Sequence, residues 1–272
     1  MELVLSLKNN MNVLITGASN GLGLATANYF ASNNHNVYSC DIKKIEDSNN
    51  IKNFIVDVTN INDINQLKNE LISQNIKLDI IINFAGIHDI GSFLEKDLSI
   101  IKKIMDVNLM GAININHILY PLLKPKGKII ICTSEVAPLD ALPFNGIYNV
   151  SKTALDSYAQ SLRQELNLLG QKVITIRPGS FNTNLANGSL DSTQKLVKET
   201  VLYKKQSNKF YKIVKTFIGK PKNPNILAKL IYKVSLKKNP KYIYNKNRNI
   251  GLWLLNVLPK RLQCFIIKTL LK

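Results

Sequence analysis

Cysteine is scarce: Cys40, Cys132 and Cys264 are the only three in 272 residues. They are too few and too scattered for a disulfide framework, and none has the spacing of a zinc site. Cys40 and Cys132 lie in apolar, strand-like runs, so buried free thiols in a reducing, cytosolic compartment are expected. No uncharged apolar run approaches the ~20 residues that span a bilayer. Residues 1–7 are too short for the apolar part of a secretion signal and lack its basic start. Acidic residues almost vanish from the last third. Residues 1–189 carry 16 basic and 16 acidic side chains; residues 190–272 carry 20 basic ones against only Asp191 and Glu199, so the whole net charge of +18 lies there. The basic residues lack interleaved stacking aromatics and no nucleic-acid module appears, which argues against nucleic acid as a partner.

What is present is a strong alternation. Apolar runs at 12–16, 36–40, 52–56, 78–83, 128–132 and 172–176 are separated by helical patterns at 22–33, 61–74, 98–123 and 148–169. Ile80-Ile81-Ile82 and Ile129-Ile130-Ile131 are apolar on consecutive residues, as in a parallel sheet covered on both faces. Strand–helix alternation predicts right-handed crossovers and an α/β, Rossmann-like, doubly wound parallel sheet flanked by helices. After Gly179 the pattern turns helical, at 191–217, 225–236 and 250–271, the last interrupted at Pro259, which makes a basic helical C-terminal extension.

Thr16-Gly17-Ala18-Ser19-Asn20-Gly21-Leu22-Gly23 joins the first strand to the first helix. Gly17 permits a tight turn, Gly21 lets the backbone approach a pyrophosphate, and Gly23 allows close helix–strand packing. Exposed amides of Ser19, Asn20 and Leu22 at the positive end of a helix then hold phosphates. Asp41 ends the second strand, where a carboxylate accepts both ribose hydroxyls and repels a 2′-phosphate. Asn20 offers no positive charge to such a phosphate, whereas Lys43 and Lys44 lie nearby and are read as solvated. NAD(H) is therefore expected in preference to NADP(H).

Tyr148 and Lys152 stand four residues apart, one helical turn, so both project from one face. A phenol titrates near ~10, and a neighbouring ammonium should bring it towards neutrality. Together with the glycine turn, this pair resembles the short-chain dehydrogenase/reductase family in its compact form, over roughly residues 11–185. The glycine turn is like the family's TGxxxGxG. Asp57-Val58 is similar to the pair that meets adenine, and Asn83-Phe84-Ala85-Gly86 to the NNAG segment, with Phe84 in place of the second Asn. Asn108 corresponds to the asparagine that holds a relay water, Ser134 to the serine that orients the substrate oxygen, and Pro178-Gly179 with Thr183 to the PGxxxT segment near the nicotinamide. Ser134 and Tyr148 are 14 apart, one more than is usual, with Pro138 and Pro143 between them. Thr133 is the alternative hydroxyl. Read alone, Asn108 equally fits a helix brace, and His35, His88 and His117 have no metal spacing and no assigned role.

The resemblance implies hydride transfer between nicotinamide and a carbinol or carbonyl carbon of a small-molecule substrate, with Asn108, Ser134, Tyr148 and Lys152 as the catalytic set. It also implies an N-terminal extension at 1–10, a dinucleotide-binding and catalytic core at 11–189, and a lid with closing elements at 190–248. Residues 249–272 then form a basic amphipathic tail. The lid lysines suit an anionic substrate, or simply solvate helix faces. The tail suits either an anionic membrane surface, with the protein peripheral at the inner face, or packing onto the core or a second subunit. Family members pair through the helices bearing Asn108 and Tyr148, so a homodimer or homotetramer is expected. A non-catalytic nucleotide-sensing scaffold, and an epimerase or dehydratase acting on a nucleotide sugar, are the competing functions.

Overall fold

The computed structural model describes residues 10–44, 46–217 and 221–272, with only the backbone described at 184–187 and 216–217. Apart from Asn10, the expected N-terminal extension lies outside the described residues. The chain alternates β1 (Asn12–Thr16), α1 (Gly21–Ala31), β2 (Asn36–Asp41), β3 (Ile51–Ile55), α2 (Ile61–Ser73) and β4 (Leu78–Asn83). There follow α3 (Leu98–Met105), α4 (Gly111–Leu119), β5 (Leu123–Cys132), α5 (Gly146–Leu168) and β6 (Lys172–Pro178). The last third holds α6 (Asn184–Glu199), α7 (Lys204–Phe217), α8 (Asn225–Ser235), β7 (Ile243–Lys246), α9 (Ile250–Val257) and α10 (Lys260–Leu271).

Seven parallel strands run in the order β3-β2-β1-β4-β5-β6-β7. Parallel strands need crossover connections, so both faces are covered and both must be apolar. Successive isoleucines therefore split between two cores. Ile81, Ile129 and Ile131 pack with Leu67, Ile115 and Leu155 from α2, α4 and α5. Ile80, Ile82 and Ile130 pack with Phe30, Leu227 and Ile231 from α1 and α8. The order reverses between β1 and β4, which opens a crevice at the carboxyl edge of the sheet.

Three elements differ from the sequence expectation, each for a physical reason. The helix expected over 98–123 is broken by a π-helical turn at Asp106–Met110 and a 3₁₀ turn at Tyr120–Leu122 that contains Pro121. The single helix expected over 191–217 is two. At the break Glu95 accepts from Thr200 Oγ1, Val201 N and Leu202 N, at 2.6, 2.7 and 2.8 Å, a long-range anchor that has no periodicity. β7 is four residues long and half-exposed, too short and polar to read as a strand, yet it pairs with β6.

Candidate active site

The glycine turn is built by crowding. A Cβ on Gly23 would lie 2.1 Å from Gly17 O, and one on Gly17, whose φ is +66°, would lie 2.7 Å from Ala85 N. Thr16 Oγ1 accepts from Phe84 N and Ala85 N, both at 3.2 Å, which ties the ends of β1 and β4 together across the crevice. Asn20 gives α1 no side-chain cap, so the positive end of that helix is left for an anion. Thr183 folds back over Gly21, where an added Cβ would lie 3.1 Å from its methyl. Ser19, Asn20, Gly21, Leu22 and Thr183 thus surround one end of α1. A cradle that any larger residue at Gly17 or Gly23 would fill fits a pyrophosphate.

Asp41 closes β2, its carboxylate accepting from Ser19 N at 3.0 Å and Lys43 N at 3.2 Å. Beside it lies a cavity of about 370 Å³, lined by Ser39, Asp41, Lys43, Lys44, Asn53 and Phe54 among others. Asp57 is taken up locally, accepting from Thr59 N and Thr59 Oγ1 at 2.8 and 2.7 Å, while Val58 is buried against Gly111. Asn83 donates to Asn116 Oδ1 at 2.9 Å, and Asn116 to Tyr158 Oη at 3.3 Å, which braces β4 against α4 and α5.

Asn108 sits in the π-helical turn and is wholly buried. The wider turn aims its side chain at the segment after β4. Its Oδ1 accepts from Ile87 N at 2.7 Å, and its Nδ2 donates to Ile87 O and to Ser151 Oγ, both at 2.9 Å. Both amide hydrogens are thereby used. The side chain braces the segment after β4 against α5. A Cβ on Gly86 would lie 3.2 Å from Asn108 Oδ1 and 3.3 Å from Lys152 Nζ, so a larger residue there would press on both.

Tyr148 and Lys152 share one face of α5 and are 8% and 4% exposed. Ser134 hydrogen-bonds the Tyr148 side chain. Thr133 donates to Asp156 Oδ1 at 3.0 Å, and that carboxylate is paired with Arg177 at 2.6 Å, which fastens Thr133 below the site. The longer Ser134–Tyr148 connection is absorbed because Asn149 Nδ2 donates to Val136 O at 2.7 Å and Thr153 Oγ1 to Ala137 O at 2.8 Å. Lys152 Nζ reaches Cys132 O at 3.4 Å and lies 5.9 Å from the Tyr148 ring centre.

The electrostatics reverse one expectation. Burial raises the Tyr148 hydroxyl well above its ordinary value, and the Ser134 hydrogen bond opposes this without overcoming it. Burial likewise lowers the Lys152 amine. Desolvation is the largest cause for each group, since neither charged form is welcome in so dry a site.

Two side chains, Glu135 and His88, carry no motif and are visible only in the fold. Glu135 Oε2 accepts from Asn249 N at 2.5 Å, and Oε1 lies where a Cβ on Gly179 would be 3.1 Å away. Gly179 N donates to Lys246 O at 2.8 Å, which fixes the Pro178-Gly179 corner at the end of β6. His88 packs edge-on against Tyr148, with ring centres 4.4 Å apart. Its Nε2 is 3.0 Å from Asn145 Oδ1 and its Nδ1 3.2 Å from Ser189 Oγ. The signal available in the sequence is only position, two residues past Gly86.

Residues 11–194 match the family described as short chain dehydrogenase. The 3-ketodihydrosphingosine reductase of Bacteroides thetaiotaomicron is 30% identical over 235 residues, 85% of this chain and 85% of that one. Estradiol 17-beta-dehydrogenase 2 of Rattus norvegicus is 32% identical over 58% of this chain, which spans 44% of that protein. A short chain dehydrogenase family protein of Francisella tularensis superposes with a TM-score of 0.72 at 25% identity, over 87% of this chain and 96% of the other. A Burkholderia cenocepacia short chain dehydrogenase in complex with NADP gives a TM-score of 0.73 at 19% identity, over 97% and 98% of the two chains. The chain belongs to the short chain dehydrogenase family. It is an oxidoreductase of the class whose members use NAD(P). No helix among the described residues is long and apolar enough to cross a membrane.

The His88 imidazole is held below its ordinary value, chiefly by burial and against the pull of Asn145 and Asp89, with Lys152 acting in the same sense as burial. The fold thus prefers neutral His88. Its contribution to stability is complete above the free imidazole value of ~6.5 and is lost as pH falls through the lower folded value. Thermal unfolding followed from pH 7.5 down to 5 is expected to show a steeper fall in Tm for the wild type than for His88→Phe. Parallel curves would refute this.

Proposed function

We propose that the protein transfers a hydride between NAD(H) and a hydroxyl or carbonyl group of a lipophilic or anionic small molecule. The observation that carries this reading is the buried Ser134–Tyr148–Lys152 group opening beside the glycine cradle at one sheet edge. When bound, the nicotinamide supplies or accepts the hydride. Tyr148 donates a proton to the substrate oxygen, and Ser134 hydrogen-bonds that same oxygen. A hydroxyl whose protonated form is favoured by burial is in the correct state to donate. Lys152 would hold the nicotinamide ribose, and Asn108 sets the main chain beside Gly86 and Lys152. Residues 190–248 act as lid and closing elements of the same unit. Tyr148→Phe is expected to lower kcat on the order of 10²-fold or more while leaving NADH affinity close to wild type. Near-wild-type turnover in a panel of ketone substrates would remove the phenol from the mechanism. A sensor or a nucleotide-sugar epimerase would give no net oxidation of NADH in that panel with the wild type.

For the cofactor, the carboxylate of Asp41 at the end of β2 disfavours a 2′-phosphate, and Asn20 brings no compensating charge. Lys43 and Lys44 border the same cavity but leave the carboxylate in place. KM for NADPH is expected to exceed that for NADH roughly tenfold, about 1.4 kcal/mol. Asp41→Ser should close most of that gap by improving NADPH. An unchanged ratio in the variant would overturn the role of Asp41.

The protein is cytoplasmic in this reading, and peripheral at the inner face of the membrane through residues 249–272. One side of α9 and α10 is docked: Asn256 Oδ1 accepts from Asp140 N at 2.6 Å, Lys260 pairs with Asp140, and Leu271 packs against the lid. The other side leaves Ile250, Leu254, Val257 and Phe265 exposed in a segment of high positive charge. That combination suits anionic lipid. Exposed Met110 and Val150, beside Asn108 and Tyr148, suit pairing as a homodimer or homotetramer. Co-sedimentation with phosphatidylserine-containing vesicles is expected at low salt, with release at high salt and loss in a Leu254→Ser, Phe265→Ser variant. Equal binding by variant and wild type would dismiss the attachment.

A further inference from the structure

His88 occupies a position from which one ring touches two separate parts of the candidate site. Asn108 grips both main-chain groups of Ile87, so the direction in which His88 leaves the chain is set by the buried π-helical turn. The imidazole then meets the Tyr148 ring at 72°, edge to face. An amide oxygen can only accept. Nε2 must therefore carry the hydrogen shared with Asn145 Oδ1, which makes Nδ1 the bare nitrogen and Ser189 Oγ the donor to it. With both nitrogens engaged, the ring has no site left for proton exchange with a substrate.

Its two partners lie on different elements. Asn145 immediately precedes α5, three residues before Tyr148. Ser189 lies in α6, which leaves the crevice just after Thr183 and is pinned at its far end by Leu196 packing with Ile90, Phe144 and Phe210. Among the described side chains between Thr183 and Leu196, Ser189 ties α6 to the segment after β4 through His88.

We propose that His88 is a positioning residue that latches helix α6 over the reaction site and, with the same ring, sets the orientation of Tyr148. The proposal rests on Tyr148 being the proton donor only for its kinetic consequence; the latch itself is a property of the fold. Closure of α6 and alignment of the phenol are then one event: a substrate that holds α6 open also loosens the ring against which Tyr148 is set.

Ser189→Ala removes one hydrogen bond and leaves the ring contact, while His88→Phe keeps an aromatic edge on Tyr148 and removes both hydrogen bonds. Hydrogen exchange of the α6 amides is expected to quicken roughly fivefold in each variant. Because both variants remove the same Ser189–His88 bond, the double variant should exchange no faster than His88→Phe alone. Ser189→Thr, which keeps the hydroxyl, should restore wild-type exchange. On a ketone substrate, Ser189→Ala should raise KM several-fold with kcat nearly unchanged, and His88→Phe should lower kcat as well. Wild-type exchange in Ser189→Ala, or additive effects in the double variant, would overturn the latch. Should exchange respond as described while the wild type turns over no carbonyl compound, the latch stands and the assigned reaction fails.

Discussion

The grip of Asn108 on the main chain of Ile87 is the constraint on which the rest of the site depends. One amide satisfies both polar groups of a residue that belongs to no strand or helix, and its remaining hydrogen goes to Ser151 in α5. Buried backbone groups outside regular structure need such a partner. By supplying it from a π-helical turn, the chain locks the segment after β4 against the helix bearing Tyr148 and Lys152. Gly86 then lies beside Lys152 Nζ, and His88 beside the phenol. Removing the amide would leave Ile87 unsatisfied and release both neighbours together.

Burial sets the electrostatic character of this place. Tyr148, Lys152 and Cys132 all lie where charge is poorly solvated, and each is shifted towards its neutral form. The simple picture of an ammonium pulling a proton from a phenol in water does not transfer to such an environment. A neutral phenol hydrogen-bonded to a serine is a donor held ready, and its reactivity depends on what charge a partner brings into the crevice.

The sheet was legible because buried parallel strands advertise themselves: Ile80-Ile81-Ile82 and Ile129-Ile130-Ile131 can satisfy two cores only if both faces are covered. The glycine turn was legible because positive φ and backbone crowding exclude other residues at Gly17 and Gly23. What periodicity does not carry is contact between segments distant in sequence. The break between α6 and α7 depends on Glu95, more than a hundred residues away, and β7 exists because β6 offers it an edge. The same holds for His88 and Glu135, which belong to no spacing rule and gain their neighbours only in three dimensions. Asn108 stands between the two cases: its residue type is legible, but its bracing geometry comes from a helical irregularity that no pattern of apolar residues announces.

The bond from Asn249 N to Glu135 has a consequence for how the molecule comes into being. It spans 114 residues and joins the residue after Ser134 to the start of the penultimate helix. A nascent chain that has been made as far as Thr183 already contains every motif of the crevice, yet the carboxylate next to Ser134 still lacks its cap and the Gly179 corner still lacks Lys246. Translation must therefore proceed past Asn249 before this edge of the sheet acquires its final shape, and until then an emerging polypeptide presents an incomplete groove.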